Sequence, residues 1–127
     1  MSQKTLSQRR SLFALESLGQ AKVNDELKTL LQGLPSMVLA NGFAQTLAFV
    51  IQKGKQSVVV NWTINWLHEQ GFVQSQEKQY RAFMTEISVM EQRRYLDCQR
   101  ETLRLWEWLK RYSGSGMFDK LPKQEGP

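Results

Sequence analysis

The chain holds one histidine, one cysteine and twelve acidic residues, and their spacing equips it neither for catalysis nor for holding a metal. His68 falls near the end of an expected helix, where an imidazole commonly meets the negative end of the helix dipole. Cys98 falls on an apolar helix side, the place of a small core residue rather than a nucleophile. No Cys/His cluster with zinc spacing is possible. The Asp and Glu residues are scattered, without the grouping that magnesium needs. The Gly-Ser-Gly at 114–116 lacks the lysine and helix that follow a phosphate-cradling loop. The expectation is a protein that is not an enzyme and carries no metal or cofactor.

The basic residues are more informative. Lys and Arg number 17 against 12 acids, a formal charge of +5 with a pI near 9.6, which allows a nucleic-acid partner without requiring one. Arg100, Arg104 and Arg111 are spaced by four and seven. At about 100° per residue they align within about 40° of one another on a helix, and Arg93 joins them if its turn is helical. Such a row suits a phosphate backbone, because each guanidinium can fork onto phosphate oxygens. Asp97 and Glu107 stand at helical pairing distance from the row, so an ordinary solvated, ion-paired face competes with that reading. Lys4, Arg9 and Arg10 near the start, and Lys53 and Lys55 at a turn, form two further positive clusters. Each of these also suits a solvated terminus or loop. Of the four tryptophans, Trp62, Trp66 and Trp106 read as core. Trp108 falls about 60° from the arginine row and is the candidate protein-interface residue, with base stacking and edge-of-core packing as alternatives.

These side chains need helices to place them. The uncharged stretch Leu34–Gln52 is apolar nearly all round, as a buried helix is, and Pro35 suits its first turn. This is expected to be the central helix. Gly42 within it is expected to admit another helix at close range. The run is near the length of a membrane span, but Asn41, Gln45 and Thr46 in its middle suit lipid poorly and no other segment supports a membrane protein. A first helix is expected from Ser2 to Leu18. A short second one is capped by Asn24 and ended by Gly33. A fourth runs from a Ser57 cap to just before Gly71, through Val59, Trp62, Trp66 and Leu67. A fifth spans about Lys78 to Met90, with Tyr80, Phe83, Met84 and Ile87 inward. Continuing it would bury Glu91, so a break is expected at Glu91–Arg94, and a sixth helix then runs to Tyr112. The whole is expected to be all-α: a single compact domain of about six helices around a buried central helix (1–112), with a mobile C-terminal tail (113–127). One cysteine precludes an internal disulfide, and the N-terminal residues lack an apolar signal core. Together these point to a reducing, cytoplasmic compartment.

Residues Leu34 to Phe49, with their Pro, aliphatic pair, Asn41-Gly42, Gln45-Thr46 and Ala48-Phe49 in order, resemble the signature of the small subunit of type III-B CRISPR effector complexes, the Cmr complexes. A second match lies in the last helix at Tyr95, Glu101-Thr102-Leu103 and Trp108-Leu109-Lys110-Arg111-Tyr112. Arg10 and Ala14 resemble the Arg…Ala pattern of the family's first helix. Phe43 departs from the family's usual Leu and Thr102 from its frequent Ala. The resemblance implies an all-helical, non-cleaving subunit stacked in a few copies along a ribonucleoprotein filament. Its partners would be the other subunits of a type III complex, further copies of itself, and guide and target RNA held by backbone contacts. Sequence is then read by base pairing. The basic rows above are the natural phosphate-contact candidates, a placing read from the residues and not carried by the family's motif. A helical adaptor that binds only protein is the alternative. No short helix presents the bare polar residues of a DNA-reading recognition helix.

Overall fold

The computed structural model describes residues 3–119. Its elements are α1 (Leu6–Gly19), α2 (Asp25–Asn41), α3 (Phe43–Ile51), a 3-10 turn (Gly54–Ser57), α4 (Val58–Glu69), α5 (Tyr80–Val89) and α6 (Gln92–Gly114). The expected six helices are present, but α1 begins at Leu6 rather than near Ser2 and α6 already at Gln92, inside the expected break. The starts of α1, α2 and α6 follow local capping chemistry. Thr5 caps α1 through a reciprocal box with Gln8, which satisfies two otherwise orphaned donors. The Asn24 side chain accepts from the Leu27 N–H at 2.9 Å, and Asp25 and Glu26 occupy the first turn of α2. The Glu91 carboxylate accepts from the Arg94 N–H at 3.1 Å and starts α6. Ser57 precedes α4 without a side-chain cap bond.

The uncharged stretch is not one helix. Leu34–Asn41 completes α2, which runs on through Gly33 and Pro35, although the proline ring forgoes the bond to the Leu31 carbonyl. The division falls at Gly42, whose φ of 89° and ψ of 162° end α2 and begin α3. That region of backbone space is essentially reserved for glycine. Nothing lies within 4 Å of the position a Cβ would take there, so Gly42 serves the bend and not the close approach of a helix. The stretch is also not buried all round. Leu39 is 87% exposed and Phe49 39%, while Leu34, Val38, Phe43, Leu47 and Val50 reach the core.

α6 packs against α1, α2 and α4. Gln32 of α2 donates to the Lys110 carbonyl at 3.0 Å, and Lys28 pairs with Asp119, so α2 runs antiparallel to α6. Trp106 donates from Nε1 to Thr63 Oγ1 of α4 at 3.0 Å, and Arg94 reaches back to the Gly71 carbonyl at 2.6 Å while lying over the Phe72 ring. α6 extends two residues beyond the expected end at Tyr112, and Ser113 is buried. The expected mobile tail beyond residue 119 lies outside the described residues. No described helix is long and apolar enough to cross a membrane.

Tyr95 of α6 stabilises the start of α3. Gly42 offers no capping side chain, and the Tyr95 hydroxyl accepts from the Ala44 N–H at 3.2 Å. Its ring meets Phe43 edge-on at 5.7 Å. Tyr95→Phe keeps the ring and removes the acceptor. It is expected to lower unfolding free energy by about 1 kcal/mol, read as a lower urea midpoint with an unchanged slope.

Candidate nucleic-acid interface

The sequence of α6 sorts by side. Cys98, Thr102, Leu105, Trp106 and Leu109 are buried, and Arg93, Arg100, Arg104 and Arg111 are exposed. Because Glu91 caps the helix before Arg93, the four arginines share one helical face. At about 1.5 Å per residue the row is about 27 Å long. Arg100 pairs with Asp97 at 3.1 Å and Arg111 with Glu107 at 3.7 Å. Both pairs are solvent-exposed, a setting in which such bonds exchange readily for another anion. Arg93 and Arg104 make no ion pair among the described residues. The face is therefore a line of cations of which half are weakly engaged, an arrangement with which a strand of phosphates is compatible.

The N-terminal cluster divides. Lys4 and Arg9 are exposed, but Arg10 is 6% exposed and turned inward. Its Nε and Nη2 donate to Glu101 at 2.6 and 2.7 Å, and Trp66 Nε1 donates to the same carboxylate at 2.9 Å. Arg10 thus joins α1 to α6 beside α4 and is unavailable to phosphate. This corrects its placing among the surface cations. Burial pushes the Glu101 carboxyl up, but the hydrogen bonds from Arg10 and Trp66, with the charges of Arg10 and Arg104, outweigh it and hold the group below its ordinary value.

Lys53 and Lys55 are exposed on either side of Gly54, whose φ of 64° makes the turn. The Lys53 ammonium lies 4.8 Å from the centre of the Phe49 ring. Both lysines border a cleft of about 450 Å³ with Lys22, from the loop between α1 and α2, and with Asn24, Glu26 and Gln56. Lys22 escapes a reading of the sequence because no periodicity links it to Lys53. Only the fold brings the two loops together. Trp108 is half-buried, its ring 5.4 Å from that of Tyr112. Burial raises the Cys98 thiol to about 12, so it is not a nucleophile at neutral pH. Among the described residues no three His, Cys, Asp or Glu side chains gather as a metal site.

Fold and surface define a small all-helical protein with basic faces and, among the described residues, no metal-binding group. Its family follows from comparison. The family model for the CRISPR-associated protein (Cas_Cmr5) matches residues 6–115, and the chain belongs to that family. A crystal structure of a CRISPR-associated Cmr5 family protein from Thermus thermophilus is similar to it, with 26% identity and a TM-score of 0.71 over 88% of this chain and 97% of that one. Comparison with curated proteins gave no match. The chain is accordingly a small subunit of a type III-B Cmr complex in CRISPR defence, and the other subunits of that complex are its partners.

Proposed function

We propose that this subunit is non-catalytic, stacks in copies along a cytoplasmic Cmr ribonucleoprotein, and holds guide and target RNA by their backbones. The observation that carries this reading is the single exposed face shared by Arg93, Arg100, Arg104 and Arg111. Lys4 and Arg9 are further contacts at the start of the chain. Backbone contacts suit a subunit that must accept any guide, because they position a strand without reading its bases. Replacing the four arginines by Ala is expected to reduce the salt slope of single-stranded RNA binding by about 3, at about 0.7 per phosphate contact. Retention of RNA by the reconstituted complex should fall in parallel. An unchanged slope and unchanged retention would sink this assignment of the surface.

The adaptor reading keeps one specific support, the outward side chains of Leu39 and Val89, which are 87% and 76% exposed. Subunit assembly that survives loss of all RNA binding, with wild-type RNA affinity itself insensitive to salt, would favour it.

A further inference from the structure

The cleft bounded by Lys22, Lys53 and Lys55 lies apart from the arginine row. The 3-10 turn that carries Lys55 packs on α2, α3 and α4, whereas the row is on the outer side of α6. We propose that this cleft is a second phosphate-binding site, gripping a nucleic-acid strand on a separate face of the subunit. The proposal rests on the reading of the chain as an RNA-backbone binder and adds a site to it.

Three separate observations support it. First, the cations come from different segments yet border one concavity, whose volume of about 450 Å³ is that of a small-ligand site. A solvated loop lysine has no need of such convergence. Second, the charges are free and partly fixed. Lys22, Lys53 and Lys55 make no ion pair among the described residues, and Lys53 is held over Phe49. The neighbouring Lys28 is engaged by Asp119 and is not counted. Glu26 is the one acid bordering the cleft, and it sits in the first turn of α2, where the helix dipole partly offsets its charge. Asp25 borders the adjoining grooves and not this one. Third, the rest of the lining suits a nucleotide chain. Asn24 and Gln56 offer neutral polar groups, and Leu27 and Val58 give an apolar wall for sugar or base. Ammonium groups bind phosphate as point charges without demanding one orientation, which fits contact with a backbone rather than a sequence.

The test is binding of the full chain to a labelled uridine homopolymer between about 50 and 200 mM salt. Lys22→Ala/Lys53→Ala/Lys55→Ala is expected to reduce the salt slope by about 2. A control, Lys78→Asn/Arg81→Glu, lowers the net charge by the same amount elsewhere on the surface and should leave the slope at its wild-type value. Lys78 has φ 71°, a conformation that asparagine accepts. Two results would overturn the cleft: a triple variant with the wild-type slope, or a control that loses as much as the triple variant. If the triple variant is unchanged while the four-arginine variant loses its slope, the cleft is refuted and the arginine row stands. If the wild-type chain shows no salt-dependent binding, the RNA reading fails and the cleft falls with it.

Discussion

Glu101→Ala is expected to destabilise the fold by about 3–5 kcal/mol, the range for removing one partner of a buried ion pair. The magnitude follows from what remains. Arg10 would keep its charge at 6% exposure, with no carboxylate to accept from Nε and Nη2, and the Trp66 N–H would lose its acceptor too. For a chain of this length a loss of that size lowers the melting temperature by more than about 10 °C. Arg10→Met/Glu101→Leu, which removes both charges and restores apolar volume, should recover most of the loss, because a matched apolar pair is often as stable as a buried salt bridge. A double variant as unstable as Glu101→Ala alone would show that packing and the orphaned Trp66 N–H, and not the stranded charge, set the cost.

The same pair gives a pH dependence. Glu101 is held below its ordinary value of 4.5 in the folded state. The unfolded chain therefore binds the proton more readily, and stability rises with pH where the two states differ. The contribution is fully present above the unfolded carboxyl value and is lost as pH falls through the folded one. Acid unfolding of the wild type should be steeper below about pH 4 than that of Arg10→Met/Glu101→Leu. Parallel acid limbs for the two proteins would remove Glu101 from the account.

Much of this fold is legible in the sequence because its signals are local. The Asn24 cap, the spacing of Val59, Trp62, Trp66 and Leu67, and the awkward inward position of Glu91 each mark an element over four to nine residues. The aligned arginines of α6 are legible for the same reason, since one helix fixes all four. What stays hidden depends on distant partners. Arg10 reads as one of three clustered surface cations, and nothing near it announces a carboxylate at position 101. Lys22 joins Lys53 and Lys55 only through the packing of two loops. The uncharged run misleads in a further way: lack of charge reads as burial, yet Leu39 is almost fully outside. Charge is one route to a solvent-facing surface, and a protein that docks onto others has less need of it.

The sequence reads Gly33 as a helix end and Gly42 as a helix interior; the structure reverses the two, and substitution by alanine should separate them by sign. Gly33 lies inside α2, in ordinary helical backbone, and a Cβ there would meet nothing within 4 Å. Gly33→Ala is expected to stabilise the chain by up to about 1 kcal/mol, through helix propensity and a less flexible unfolded state. Gly42 also has open space where a Cβ would sit, but its φ is 89° with ψ 162°. Alanine there must hold a strained backbone or shift the junction of α2 and α3, at a cost of about 1–3 kcal/mol. Shifting the junction would also disturb the bonds that meet at it. The Gly42 N–H donates to the Val38 carbonyl at 2.8 Å, and its own carbonyl accepts from the N–H and hydroxyl of Thr46 at 3.1 and 2.8 Å. Since neither site has a steric neighbour, urea midpoints of the two variants report backbone conformation, and at Gly42 the hydrogen bonds tied to it, rather than a clash. Destabilisation by both would mean that α2 needs a glycine at 33 for a partner surface or an altered helix path. Tolerance of alanine at 42 would mean that the bend is set by Tyr95 and the surrounding core, with glycine only permitting it.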